Sequence, residues 1–429
     1  MAESFVDMQI IRSTDKPRIA RLLEGRRTQL AQAEVVARRI LADVRQNGDT
    51  ALVRLTRRFE KIDLRKAGFT VSEAEILEAY ERASPDFKLA IGLAVKNIRA
   101  TARRQLPRPW RASNGAGVEV SQIVRPLDRV ACYVPGGRFP LPSTVLMSVI
   151  PAQVAGVREI VVTSPRPAPA VLVAAHLLGV DKVFRLGGAQ AIAAFAFGSE
   201  SVPRVDKIVG PGNRYVAAAK KLVAGECGID FVAGPSELVV VGSRGHATWI
   251  AADLVAQAEH DPDAVAIFIT SSPALAREVQ AAVDEILVKQ FNGGLPVAEQ
   301  SLAGQGAIVL TRDLSESVDL VNRLAPEHLT LLDDAAEALD RIHSAGSIFL
   351  GSYSAVAAGD YTSGPNHILP TGGAARLSGG LGAADFVKRI SVQRLSRPGL
   401  ARLRGAIVTL AKTEGLKAHA YSVETRFRS

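Results

Sequence analysis

Four short segments carry side chains suited to chemistry. Gln257-Ala258-Glu259-His260 closes an apolar helical pattern of Ile250, Leu254 and Ala258. Residues three apart on a helix share a face, with Cβ atoms about 5–6 Å apart, so Gln257 and His260 can address one ion. Capping or core packing accounts for such a pair equally well. Asp261-Pro262-Asp263 then ends the helix, because proline pushes its predecessor out of the helical region. In Ala325-Pro326-Glu327-His328-Leu329, an acid and an imidazole stand side by side at the start of a strand-like run. They cannot both face a core, and an imidazole with a pKa of about 6.5 suits general-base work near neutrality. A surface pair is the competing reading. The run from Gly359-Asp360-Tyr361 to Asn366-His367 gathers an Asp, a His and three hydroxyls among glycines, as a ligand loop or a solvated turn network would. Glu414, five residues before His419, continues the apolar stripe of Leu403, Ile407 and Leu410, and a carboxylate on a docking face needs a partner.

Three glycine turns could receive a cofactor. Gly210-Pro211-Gly212-Asn213 follows the strand-like Lys207 to Val209 and opens an Ala-rich helix, where free N–H groups and the helix dipole favour a pyrophosphate. Tyr133-Val134-Pro135-Gly136-Gly137 and Gly187-Gly188-Ala189-Gln190 are of the same kind. Each is also a plain strand-to-helix turn, and neither the G-x-G-x-x-G nor the G-x-x-x-x-G-K-[ST] fingerprint is present.

The elements that must position these groups divide the chain by texture. The first hundred residues read as helical scaffold, with Val36, Ile40, Leu41 and Val44 in one stripe and Leu52, Leu55 and Phe59 in the next. Between them, Asn47-Gly48-Asp49 predicts a helix end at Gly48 and a new N-cap at Asp49. Leu106 to Gly117, with two prolines and two glycines, interrupts the helical pattern. Apolar runs at 160–163, 183–186, 238–241, 265–270 and 308–311 then alternate with Ala-rich helices, predicting parallel sheets covered on both faces and an α/β architecture. Two sheet domains are expected, parting near Gly234-Pro235. A last helix starts at about Gly399, its stripe of Leu400, Leu403, Ile407 and Leu410 ready to dock.

Composition narrows the class further. A 429-residue chain with 47% hydrophobic residues can bury a large core. The formal charge of +9 comes from Lys and Arg interspersed with Asp and Glu, so attraction of anionic small molecules, or no functional consequence, is expected rather than nucleic acid. No apolar run approaches the roughly 20 residues of a membrane span. Met1-Ala2-Glu3-Ser4 lacks the features of an export signal. Cys132 and Cys227 match no metal or redox spacing and read as buried small hydrophobes. Cytoplasmic residence, without a membrane, is the expectation.

In this order the nine segments resemble the histidinol dehydrogenases: Tyr133 to Gly137, Gly187 to Gln190, Gly210 to Asn213, Ala233 to Glu237, Gln257 to His260, Pro326 to His328, Gly359 to Tyr361, Asn366-His367 and Glu414 to His419. The N-terminal Asn47 to Leu52 and Arg57-Arg58-Phe59 are similar to that family as well. The resemblance implies an α/β fold of two incomplete Rossmann-like, parallel-sheet domains at 126–236 and 237–375. A mainly helical N-terminal region (1–125) and a C-terminal helical tail (376–429) embracing a second subunit would complete it. It implies Glu327 and His328 as the catalytic pair. Zinc would be held by Gln257, His260, Asp360 and His419 of the partner subunit, making a homodimer with shared sites. Substrate contacts would come from Ser236, Gln257, His260, His328, Asp360, Glu414 and His419, and NAD would touch Tyr133, Gln190 and Asn213. The implied reaction is four-electron oxidation of L-histidinol through L-histidinal to L-histidine, the last steps of histidine biosynthesis. Arg138-Phe139 and Ala374 to Gly380 depart from the family pattern, so the alternative is a paralogue oxidising another alcohol such as a sulfonated diol.

Overall fold

The computed structural model describes residues 8–24, 30–137, 139–291 and 294–428. Met1 to Ser4 and Arg138, singled out above, lie outside them. Strand β1 (Gln9–Arg12) comes first, followed after a helical stretch by β2 (Trp110–Ser113) and β3 (Val118–Pro126). A first βα series holds β4 (Arg129–Tyr133), β5 (Glu159–Thr163), β6 (Val183–Phe184), β7 (Lys207–Val209) and β8 (Gly228–Ile229). A second holds β9 (Glu237–Val241), β10 (Val265–Thr270), β11 (Gly306–Leu310), β12 (His328–Leu331) and β13 (Ser347–Leu350), and β14 (Val387–Leu395) precedes the tail helices.

The strands assemble as β6-β5-β4-β7-β8 and as β1-β11-β10-β9-β12-β13, with every pairing in both sheets parallel. Their sequences explain this. β9 and β10 are buried at every position, which only a sheet covered on both faces by helices can satisfy. In each sheet the first strand of the series lies between the second and the fourth, the doubly wound order that leaves a crevice where the winding reverses.

Three features depart from the sequence reading. β1, expected within helical scaffold, is the edge strand of the second sheet and pairs Ile10 with Ile308. A four-residue strand is too short to show a period, and its partner lies about three hundred residues away. Residues 376–429 are not wholly helical, because β14 pairs antiparallel with β3 from Val387↔Pro126 to Leu395↔Val118. Finally, Gly48 (φ +46°) breaks the helical stretch Ala31–Glu60 as expected, but the Asp49 side chain does not cap the helix that resumes there. Its carboxylate instead accepts from Ser199 Oγ at 2.6 Å and from the Ser201 hydroxyl, tying the kink to the loop after the helix Gly188–Phe197.

Two connections bear on the site. The chain beyond Asp360 returns to the first sheet: Ile368, Leu381 and Phe386 are buried with Met147 and Ile150, and Asn366 Nδ2 donates to the Met147 carbonyl at 2.6 Å. The tail helices Arg397–Thr413 and Lys417–Glu424 pack chiefly on each other. Leu403 and Leu410 of the expected docking stripe are left exposed, so it is not fully covered within one chain. Cys132 and Cys227 are buried free thiols. Among the described residues no helix is long and apolar enough to cross a membrane.

Candidate active site

At the carboxyl ends of β4 and β7 a cavity of about 630 Å³ opens, lined by Tyr133, Gln190 and Asn213 together. Tyr133 ends β4, and its hydroxyl accepts from the Gly188 N–H at 3.1 Å. Asn213 caps the helix Arg214–Val223, its Oδ1 accepting from the Tyr215 and Val216 N–H groups at 3.0 and 3.2 Å. The turn before it requires glycine: Gly210 has φ +116°, and a Cβ there would lie 2.1 Å from the Tyr133 carbonyl oxygen. That turn is held by a buried ion pair. Asp230 Oδ2 accepts from the Gly210 N–H at 2.7 Å, Lys220 Nζ donates to the Gly210 carbonyl at 3.0 Å, and the two charges meet. Sequence reasoning missed both charges, since a lysine in an Ala-rich helix reads as solvated.

It also missed Glu60, the last residue of the kinked helix, which lines the same cavity. Gln190 Nε2 donates to its Oε1 at 2.8 Å. Burial pushes the Glu60 carboxyl up to about 7, against the lowering effects of the Gly187 N–H and the Arg166 guanidinium. The nearest sequence signal was Arg57-Arg58-Phe59, which stops one residue short.

The second constellation stands at the amino ends of β9 and β12, where His328 lies in register with Leu238. Glu237 and Glu327 are both buried and clasp each other. The Glu237 N–H donates to Glu327 Oε2 at 2.8 Å, the Glu327 N–H donates to Glu237 Oε2 at 3.3 Å, and the Gly372 N–H donates to Glu237 Oε1 at 3.0 Å. Burial raises the Glu327 carboxyl well above the ordinary range, and the negative charges of Glu237 and Asp360 push the same way. A carboxylate in such a place is a stronger base than one in water.

His328 is 6% exposed. Its Nδ1 lies 3.1 Å from the Glu237 carbonyl oxygen. A carbonyl only accepts, so Nδ1 carries the hydrogen and Nε2 keeps the lone pair. Nε2 faces Asp360 Oδ1 at 3.8 Å. Burial lowers the His328 pKa while Asp360 opposes that shift, leaving a neutral imidazole beside a carboxylate able to steady its cation. Asp360 sits in the short helix Val356–Tyr361, not in the loop expected there, and Gly359 before it leaves no room for a side chain, since a Cβ would lie 2.6 Å from the Phe349 ring. His367, which the sequence marked without a role, donates through Nδ1 to the Asp360 carbonyl at 2.8 Å.

The remaining predicted residues are placed less evenly. Gln257 is 3% exposed in the last turn of the helix Ala247–Ala258, and its Nε2 is buried with no hydrogen-bond partner. The helix ends before His260, which is exposed in the following turn yet close enough to disfavour the charged forms of His328 and His367. Ser236, half-buried, immediately precedes β9. Glu414 and His419 are exposed on the tail, and among the described residues no hydrogen bond or ion pair links them to Gln257, His260 or Asp360. Also among the described residues, no three His, Cys, Asp or Glu side chains converge as a metal-holding group.

Known proteins resemble this chain along nearly its whole length. The profile described as histidinol dehydrogenase matches residues 23–427. The histidinol dehydrogenase of Syntrophotalea carbinolica is 49% identical, over 91% of each chain, and that of Methanothermobacter thermautotrophicus is 46% identical, over 96% of this chain and 98% of the relative. The crystal structure of histidinol dehydrogenase from Elizabethkingia anophelis superposes with a TM-score of 0.91 at 34% identity, covering 98% of this chain and 97% of that one. With catalytic-type side chains at the amino ends of β9 and β12, a cofactor-sized cavity at the carboxyl ends of β4 and β7 and this likeness along nearly its whole length, the chain belongs to the histidinol dehydrogenase family.

Proposed function

We propose that this chain oxidises L-histidinol through L-histidinal to L-histidine in two successive two-electron steps, as a biosynthetic enzyme of the cytoplasm. The observation that carries the reading is the buried Glu237, Glu327 and His328 cluster, with its single available imidazole nitrogen, in a chain of this family. The curated relatives compared above bear the name histidinol dehydrogenase, so a paralogue acting on a sulfonated diol is not favoured.

NAD, when bound, supplies the hydride acceptor for both steps. A cavity of about 630 Å³ falls in the range of about 300–1,000 Å³ usual for ligand sites, and Tyr133, Gln190 and Asn213 would hold the cofactor there. His328 Nε2 takes the hydroxyl proton of the alcohol while Nδ1–H stays on the Glu237 carbonyl, so the tautomer does not change during the transfer. Asp360 stabilises the resulting imidazolium. In the second half, Glu327 takes a proton from the water that adds to the aldehyde. Burial and the nearby negative charges of Glu237 and Asp360 raise the basicity of its anion, against the lowering effect of the Glu237 N–H.

Gln257, His260 and Asp360 would hold a zinc ion with His419 of the partner subunit. The donor types suit zinc, and the Gln257 amide, buried with an unpartnered Nε2, is not fully committed to the fold. A zinc ion held there would supply Lewis-acid anchoring of the substrate. Ser236, Gln257, His260, His328, Asp360, Glu414 and His419 would then surround the amino alcohol. Two features support a homodimer that shares its sites: among the described residues no hydrogen bond or ion pair links Glu414 or His419 to Gln257, His260 or Asp360 within one chain, and the tail carrying them has an uncovered apolar face.

The test is a metal-replete assay that counts NADH and product together. Two NADH per histidine formed is the expected result. One NADH with the aldehyde as end product, or a preference for a sulfonated diol over histidinol, overturns the proposal.

A further inference from the structure

In a doubly wound dinucleotide domain, an acid at the carboxyl end of the second strand ordinarily receives the hydroxyls of the adenosine ribose. Here the second strand is β5, and the chain leaves it as Thr163-Ser164-Pro165-Arg166, with no acid. The place is filled from elsewhere. The kinked N-terminal helix ends at Glu60, and its carboxylate comes against Pro165 and Gly187: a Cβ on Gly187 would lie 2.5 Å from Pro165 Cβ and 2.8 Å from Glu60 Oε1. Glycine at 187 thus lets the acid reach the end of β5.

The carboxylate is placed firmly and is incompletely used. Arg166 Nη2 donates to the Glu60 carbonyl at 2.6 Å and anchors the helix end. Gln190 Nε2 donates to Oε1 at 2.8 Å, and Gly187 contributes a backbone N–H. Oε2 is buried and has no hydrogen-bond partner, in a residue that lines the cofactor cavity. Two vicinal hydroxyls offer two donors to such a group. A phosphate on either hydroxyl would bring like charge against it in a site that excludes much of the water, where repulsion is strong.

We propose that Glu60 is the ribose-binding residue that sets cofactor choice, accepting hydrogen bonds from the adenosine ribose diol of NAD and rejecting the 2′-phosphate of NADP. This rests on the cofactor reading of the cavity given above. It goes further in assigning to the N-terminal helical region the discrimination that a dinucleotide domain usually builds into its own second strand.

The test measures binding, not turnover. Dissociation constants for NAD, 2′-deoxy-NAD and NADP are determined by calorimetry at pH 8, where the Glu60 carboxyl is ionised, for the metal-loaded enzyme and for its Glu60→Gln, Glu60→Asp and Gln190→Ala variants. The native enzyme binds NAD at least tenfold more tightly than 2′-deoxy-NAD or NADP. In Glu60→Gln the NAD-to-NADP preference falls at least tenfold and the penalty for 2′-deoxy-NAD largely vanishes, whereas Glu60→Asp keeps the order of preference. Gln190→Ala weakens all three ligands together. Equal weakening of all three in Glu60→Gln would show that Glu60 only positions Gln190 and overturns the proposal. Failure of the native enzyme to bind NAD at all overturns the cofactor reading itself, and the assignment of Glu60 with it.

Discussion

Replacing Lys220 with methionine isolates the charge pair beneath the cofactor turn. Lys220 and Asp230 have side chains 2% and 0% exposed, so the substitution keeps the volume of the stem and strips the carboxylate of its ion-pair partner. Removing one member of a buried pair costs about 3–5 kcal/mol, most of it from the uncompensated charge left behind. Asp230 retains two short backbone donors, the Gly210 and Phe231 N–H groups, each at 2.7 Å. The lower end, about 3 kcal/mol, is therefore expected. The Gly210 carbonyl also loses its 3.0 Å donor, so the turn that leads to Asn213 loosens and NAD binding weakens by about tenfold, the equivalent of about 1.4 kcal/mol. Urea unfolding with linear extrapolation reads the first quantity and calorimetric titration with NAD the second. The double variant Lys220→Met/Asp230→Asn, neutral at both positions, recovers at least half of the lost stability. A loss below about 1 kcal/mol in Lys220→Met with NAD affinity unchanged would refute the reasoning, because the pair would then neither hold the fold nor set the turn.

Three further outcomes are expected. His328→Asn lowers kcat by about 10²- to 10⁴-fold in steady-state kinetics with little change in the dissociation constant for NAD, as removal of a proton acceptor should. His260→Ala and His419→Ala proteins, each inactive, regain activity when mixed and allowed to exchange subunits, since each mixed dimer has one complete site; demonstrated exchange without recovery would place His419 in its own chain's site. Glu60→Gln gains stability relative to the native protein as pH rises. The folded carboxyl, pushed from 4.5 up to about 7, binds its proton more tightly than the unfolded one, so the native protein loses stability as pH climbs through that window. The shift corresponds to about 3 kcal/mol at full burial, and partial exposure reduces it to about 1–2 kcal/mol. Thermal midpoints of both proteins between pH 5 and 8 measure it, and parallel curves would contradict it.

The parallel sheets were legible because their strands are continuous apolar runs, and β9 and β10 announce themselves without any partner in view. That Glu327 and His328 stand together was legible from adjacency in the chain, but their joint burial was not: both are buried, where the sequence reading held that they could not both face a core. Asp49 shows the limit of local reasoning. Its sequence context favours a helix cap, yet its carboxylate bonds Ser199 and Ser201 about 150 residues away. β1 and β14 were missed because a strand's identity depends on a distant edge that accepts it, and that edge leaves no mark on four or nine residues of sequence.

The sequence by itself determined which side chains are available and the local frames they stand on: glycine where Gly210 must turn at φ +116°, an imidazole beside an acid, an amide and a second imidazole near a helix end. What it could not determine is the state of those groups. That His328 has Nδ1–H and a free Nε2 follows from a carbonyl 91 residues earlier in the chain, and that the Glu327 carboxyl is raised above the ordinary range follows from its burial. That Glu60 stands at the end of β5 follows from a helix crossing to a sheet more than a hundred residues away. Protonation and recognition depend on solvent exclusion and on the nearest dipoles, and both are properties of the packed chain, because only packing decides which groups lose their water and what replaces it.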